Sequence, residues 1–112
     1  MSRALLLVGF AGALALAACM PGGDITAPPP GTIMVEMRDN FFQPDTVRVM
    51  RGGYVRWTNR GQDLHSVTSE AELLRSELIP PTSWFEAHFE ELGTFEYECS
   101  LHEEMTGTVI VQ

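Results

Sequence analysis

Lysine is missing from this 112-residue chain, and its seven basic residues are all arginine. Set against fifteen Asp plus Glu, they leave a formal net charge of −8. Nucleic-acid binding is disfavoured, because phosphate backbones demand a basic footprint that is absent here. Histidine is scarce, at three. No Ser-His-Asp order and no phosphate-cradling glycine loop appears, so the chain carries no sign of hydrolytic or nucleotide chemistry. The longest apolar run, residues 4–18, is too short to span a bilayer comfortably. The length suits one domain and not two. Only two cysteines are present, Cys19 directly after the apolar run and Cys99 near the carboxyl end.

The first residues stand apart from the domain. Arg3 forms a short positive region, "ALLLVGFAGALALAA" (4–18) is apolar, and "LAAC" leads into Cys19. An ordinary secretory peptide or a retained anchor accounts for such a run. A sharper reading is the signal of a bacterial lipoprotein, which the string resembles: residues 1–18 are removed and Cys19 is lipidated as the new first residue. Acyl chains would then hold the protein at the membrane, on the periplasmic or cell-surface side, without a transmembrane helix. Residues 19–31 contain four of the seven prolines and three glycines, a composition that buries no core and reads as a tether. In polyproline II form it reaches at most about 37 Å. Without Arg3 the mature chain carries −9, which favours basic partners and repels anionic headgroups; solubility alone accounts equally well for most of these charges. With Cys19 lipidated, Cys99 has no partner in its own chain. Exported proteins use cysteine in disulfides, so Cys99 is an inert buried thiol, an intermolecular link or a ligand.

From residue 32 onward, apolar and polar residues alternate with period two between turn signals. The segments 32–38, 45–50, 54–59, 65–69, 83–91, 93–99 and 107–112 each read as a short strand. Seven strands in about eighty residues predict an all-β sandwich or barrel, one face of each sheet wet. The exception is "EAELLRSEL" (70–78), where Leu73, Leu74 and Leu78 suit one side of a short helix. The segment 70–79 is expected to be a turn or two of helix or an irregular excursion, stopped by Pro80 and Pro81.

Near the end, "CSLHEEM" (99–105) places Cys99, His102 and Met105 on one turn-sized loop. A copper ion that shuttles between Cu(I) and Cu(II) needs donors acceptable to both states. Thiolate and thioether suit the reduced ion, and imidazole suits either. Two His and one Cys in a trigonal plane with a weak axial Met meet that need. The missing imidazole must come from elsewhere. His88 alternates with Glu86 and Glu90, opposite Phe85 and Phe89, and so faces water. His65 shares its side with Val67 and follows a turn-rich approach, "NRGQDL" (59–64), which makes it the better candidate.

"DNFFQPDTVRVMRGGYVRWTN", "HSVTS" and "GTFEYECSLHEEMTGTVIVQ" together resemble the cupredoxins, the plastocyanin, azurin and amicyanin group of blue-copper proteins. The resemblance covers residues 32–112, and the C-x-x-H-x-x-M spacing is similar to amicyanin's. It implies a Greek-key β-sandwich (cupredoxin-like) holding one type 1 copper per chain. His65, Cys99 and His102 would be the strong ligands and Met105 the axial one. Two departures stand out. The residue after the first histidine is often Asn in the family; here it is Ser66, whose hydroxyl still bonds across but with shorter reach. Glu103 and Glu104 follow His102, where apolar residues or proline are common; their charge favours Cu(II) and docking to a positive partner.

The function implied is a membrane-tethered one-electron carrier, monomeric, between a redox donor and an acceptor with a basic docking patch. Copper delivery to another exported cuproenzyme would use the same ligands with an exchangeable site. A metal-free interaction module is opposed by the complete ligand set. Catalysis by this chain is not expected, since oxidases and nitrite reductases of the group need additional histidine-rich copper sites, and three histidines cannot build one.

Overall fold

The computed structural model describes residues 27–70 and 74–112. The expected signal segment 1–18, the lipidated Cys19, the tether up to residue 26, and residues 71–73 lie outside the described residues.

Seven strands carry the domain: β1 (Ile33–Arg38), β2 (Phe41–Gln43), β3 (Thr46–Val49), β4 (Gly53–Asn59), β5 (Trp84–Phe89), β6 (Gly93–Cys99) and β7 (His102–Val111). They form two sheets, ordered β2-β1-β4-β5 and β3-β7-β6. Both sheets are mixed. β1 runs parallel to β4, with Val35 opposite Trp57, and β3 runs parallel to β7, with Val47 opposite Val109. The remaining ladders are antiparallel. Parallel neighbours cannot be joined by tight hairpins, so the chain passes between the sheets, as a Greek-key sandwich requires.

Alternation of side chains explains the core. Val35 and Met37 of β1, Val55 and Trp57 of β4, Val47 and Val49 of β3, Tyr97 and Cys99 of β6, and Met105, Val109 and Val111 of β7 all point between the sheets and are buried. Each such side chain removed from water contributes about 1.5–3 kcal/mol. Trp57 and Tyr97 meet edge to face, 5.3 Å between centroids, and Phe42 packs on the other side of Tyr97 at 4.7 Å. On the outer face Arg56 is buried nonetheless. Its guanidinium lies 3.7 Å from the Trp84 ring centroid and pairs with Glu86 at 2.9 Å.

Two sequence expectations change, and one open alternative is decided. Residues 65–69 make isolated bridges rather than a ladder: His65 with Ile79, and Thr68 with both Arg75 and Glu98. Phe41–Gln43, not expected as a strand, pairs with β1 across a two-residue turn. No helix occurs among the described residues. Residues 74–79 form the irregular alternative, folded back along 65–68, with Leu74 buried and Leu78 half exposed. A helix would have left the Val67 backbone without these partners; instead Ser76 donates its N–H to Val67 O, and its hydroxyl accepts the Val67 N–H.

Candidate metal centre

Three donors converge at one end of the sandwich. Cys99 Sγ lies 3.8 Å from His65 Nδ1 and 3.5 Å from His102 Nδ1. One donor atom from each of His65, Cys99 and His102 falls within 4.8 Å of the others. An ion in a trigonal plane with bonds of about 2.0–2.3 Å needs donors about 3.5–4.0 Å apart. The two sulfur–nitrogen separations satisfy that requirement, and the soft-plus-borderline donor set fits copper.

Each donor has a local cause. Cys99 ends β6 on its inward face, continuing the parity of Phe95 and Tyr97. Ser100 and Leu101 turn the chain, and a register shift after Glu98 sets Cys99 opposite His102 at the start of β7. His65 comes from the excursion between β4 and β5 and is fully buried, fixed by backbone bonds in both directions with Ile79. His102 retains 21% side-chain exposure, so one imidazole of the centre reaches solvent. Met105, three residues further along β7, is fully buried in the same apolar cluster as Cys99. His88 is elsewhere: it is exposed on β5, stacked on Tyr54 at 4.4 Å, with Nε2 against Gly52 O.

Of the residues that support the centre, sequence reasoning singled out Ser66 and missed Asp39, Asp63 and Asn59. Ser66 Oγ accepts the Ser100 N–H at 2.8 Å and lies 2.9 Å from Ser100 Oγ, so the hydroxyl that stands at this position braces the residue after Cys99. Asp39, at the β1–β2 turn, places Oδ1 3.0 Å from His65 Nε2. The backbone N–H groups of Gln62 and Asp63, together with His65, hold its carboxyl below the usual carboxylate range. Asp63 brings a second carboxylate 3.9 Å from His102 Nε2. Asn59 ties this loop together, donating from Nδ2 to Asp63 O and Ile79 O, and accepting from Gly61 N, each at 2.8 Å. Spacing carries no signal for Asp39, because its partner lies 26 residues away in another element.

A β-sandwich that gathers a thiol and two imidazoles at one pole is a small metal-binding domain. The chain belongs to the cupredoxin-like domain family, whose sequence profile it matches over residues 5–111. It is similar to amicyanin-alpha of Methylorubrum extorquens, with 26% identity across 98% of this chain and 99% of that one. It is similar also to amicyanin of Paracoccus denitrificans, with 29% identity across 93% of this chain and 86% of that one. Among solved structures, the reduced Cu(I) form of an amicyanin point mutant matches with a TM-score of 0.71 at 26% identity, covering 78% of this chain and 88% of that one. A second reduced amicyanin mutant gives 0.72 at 25% identity over the same shares.

Proposed function

We propose that the protein is an exported one-electron carrier whose single copper ion would be held by His65, Cys99, His102 and Met105. The observation that carries this reading is the convergence of the three donor atoms within 4.8 Å at one pole of a cupredoxin sandwich. Copper, when bound, supplies the one-electron couple between Cu(I) and Cu(II). The chain's residues do the rest. His65 and Cys99 sit in a packed interior that resists rearrangement. The Ser66 hydroxyl, bonded to the backbone N–H and the hydroxyl of Ser100, restrains the loop following Cys99. The partly exposed His102 is the port through which an electron enters and leaves.

Tethering through a lipidated Cys19 and the 19–31 segment would keep this port within reach of membrane-bound partners while the domain stays in the aqueous phase. The absence of lysine and the excess of carboxylates support a partner with a basic docking patch. Partner and domain meet as a transient pair, the carrier itself acting as a monomer and turning over no substrate.

The test is to load the purified domain with Cu(II). An intense visible charge-transfer band, a reversible one-electron wave in voltammetry and loss of the band in Cys99→Ser are the expected results. A colourless product, or copper that passes readily to a weak chelator, refutes the carrier reading.

A further inference from the structure

Asp39 lies outside the donor set, yet the loop that carries His65 is built around its carboxylate. Oδ1 lies 3.0 Å from His65 Nε2 and accepts from Asp63 N at 3.1 Å, while Gln62 N donates to both carboxylate oxygens at 3.0 Å. Space for this arrangement exists only because residue 61 has no side chain. A Cβ on Gly61 would overlap Asp39 Oδ1, and would stand 2.8 Å from its Cγ and 3.0 Å from its backbone nitrogen. Asp39 is delivered there by a two-residue turn in which Asn40 takes the left-handed conformation, φ 85°, one that Asn tolerates better than most residues.

The tautomer of the neutral His65 ring follows from this contact. An ionised carboxylate only accepts hydrogen bonds, so in the neutral imidazole the single ring proton belongs on Nε2. Nδ1 is then the bare nitrogen, and it is the atom facing Cys99 Sγ at 3.8 Å. In the opposite tautomer a lone pair would face the carboxylate in a fully buried ring, and an N–H would point into the donor cluster. Anchoring the amides of Gln62 and Asp63 explains why the turn is ordered; it does not require a third bond aimed at the imidazole.

We propose that Asp39 is a positioning residue of the copper centre: its carboxylate keeps the proton on Nε2 of His65, aims Nδ1 into the donor cluster and, as a negative charge beside that imidazole, favours Cu(II) over Cu(I). The electronic part rests on the copper reading above, whereas the tautomer part is a property of the metal-free chain.

Two variants separate the effects. Asp39→Asn retains an acceptor of nearly the same shape and removes the charge; Asp39→Ala removes both. Ring nitrogen-15 shifts of His65 in the metal-free protein, recorded in mildly alkaline solution, report the tautomer. The proton is expected on Nε2 in the wild type and in Asp39→Asn, and shared between both nitrogens or moved to Nδ1 in Asp39→Ala. Voltammetry of the copper-loaded proteins is expected to show Asp39→Asn shifted to higher potential. A tenfold change in the Cu(I)-to-Cu(II) binding ratio corresponds to 59 mV. Asp39→Ala is expected to lose about 10–100-fold in copper affinity as well, the usual cost of removing an outer partner of a ligating histidine. A wild-type His65 carrying its proton on Nδ1, or an Asp39→Asn potential indistinguishable from wild type, overturns the proposal. Should Asp39→Ala fail to fold, the wild-type tautomer and the Asp39→Asn potential still decide it. A protein that takes up no copper but shows the expected tautomer pattern would sink the proposed function and leave the positioning role standing.

Discussion

Adding one methyl group at Gly107 should measurably destabilise the fold. Gly107 sits within β7, directly opposite Tyr97 of β6. A Cβ built there would overlap the Tyr97 ring and hydroxyl and stand 2.8 Å from its Cε2. The ring cannot swing away, because Phe42 and Trp57 meet it edge to face at 4.7 and 5.3 Å. Overpacking of this kind costs about 1–3 kcal/mol, so Gly107→Ala should lower the melting temperature of this small domain by roughly 10 °C. The measurement is urea unfolding of the metal-free protein, since bound metal would mask the change by stabilising the native state. In a Tyr97→Leu background, where the ring is gone, the same substitution should cost far less, and the cycle would give a coupling of about 1–2 kcal/mol. A Gly107→Ala protein within about 0.5 kcal/mol of wild type, or an undiminished cost in the Leu background, would refute steric conflict with Tyr97 as the reason for glycine here.

Ser66→Ala deletes the acceptor for the Ser100 N–H and the hydroxyl contact beside it. It should cost about 1–3 kcal/mol, and amide exchange at Ser100 should quicken more than at strand residues such as Val109. Alkaline pH should weaken the fold through Tyr97, whose phenol burial pushes up to about 12 from 10.0. Because the folded value is the higher one, this stabilisation is complete below about pH 10, declines as the unfolded chain ionises, and is gone once pH has risen through about 12. The loss is on the order of 3 kcal/mol, and Tyr97→Phe, followed by chemical unfolding at stepped pH, should flatten that decline.

Alternating residues revealed most of the strands, since period-two burial is a local property: Val35 and Met37, Val55 and Trp57, and Tyr97 and Cys99 face inward as their spacing predicts. Where local pattern and structure part, a distant partner is responsible. Arg56 alternates as an outward residue, yet Trp84 and Glu86 of the neighbouring strand cover it. Residues 65–69 look like a strand but meet only bridges, because Ile79, Arg75 and Glu98 each occupy one stretch of their edge. The leucines of 70–78 suggested a helix as readily as the irregular path that Ser76 and Ile79 stabilise.

By itself the sequence pointed to the donor chemistry. Cys99, His102 and Met105 lie within seven residues, and the local pattern ranked His65, which is buried, above His88, which is exposed. Tertiary structure alone decided that β1 and β4, and β3 and β7, pair in parallel, that His65 reaches Cys99 across 34 residues, and that Asp39 meets the far nitrogen of His65. The physical reason is one of range. Burial parity and loop spacing are written between near neighbours, whereas strand pairing and a carboxylate's choice of partner depend on segments that become adjacent only when the two sheets close over their shared core.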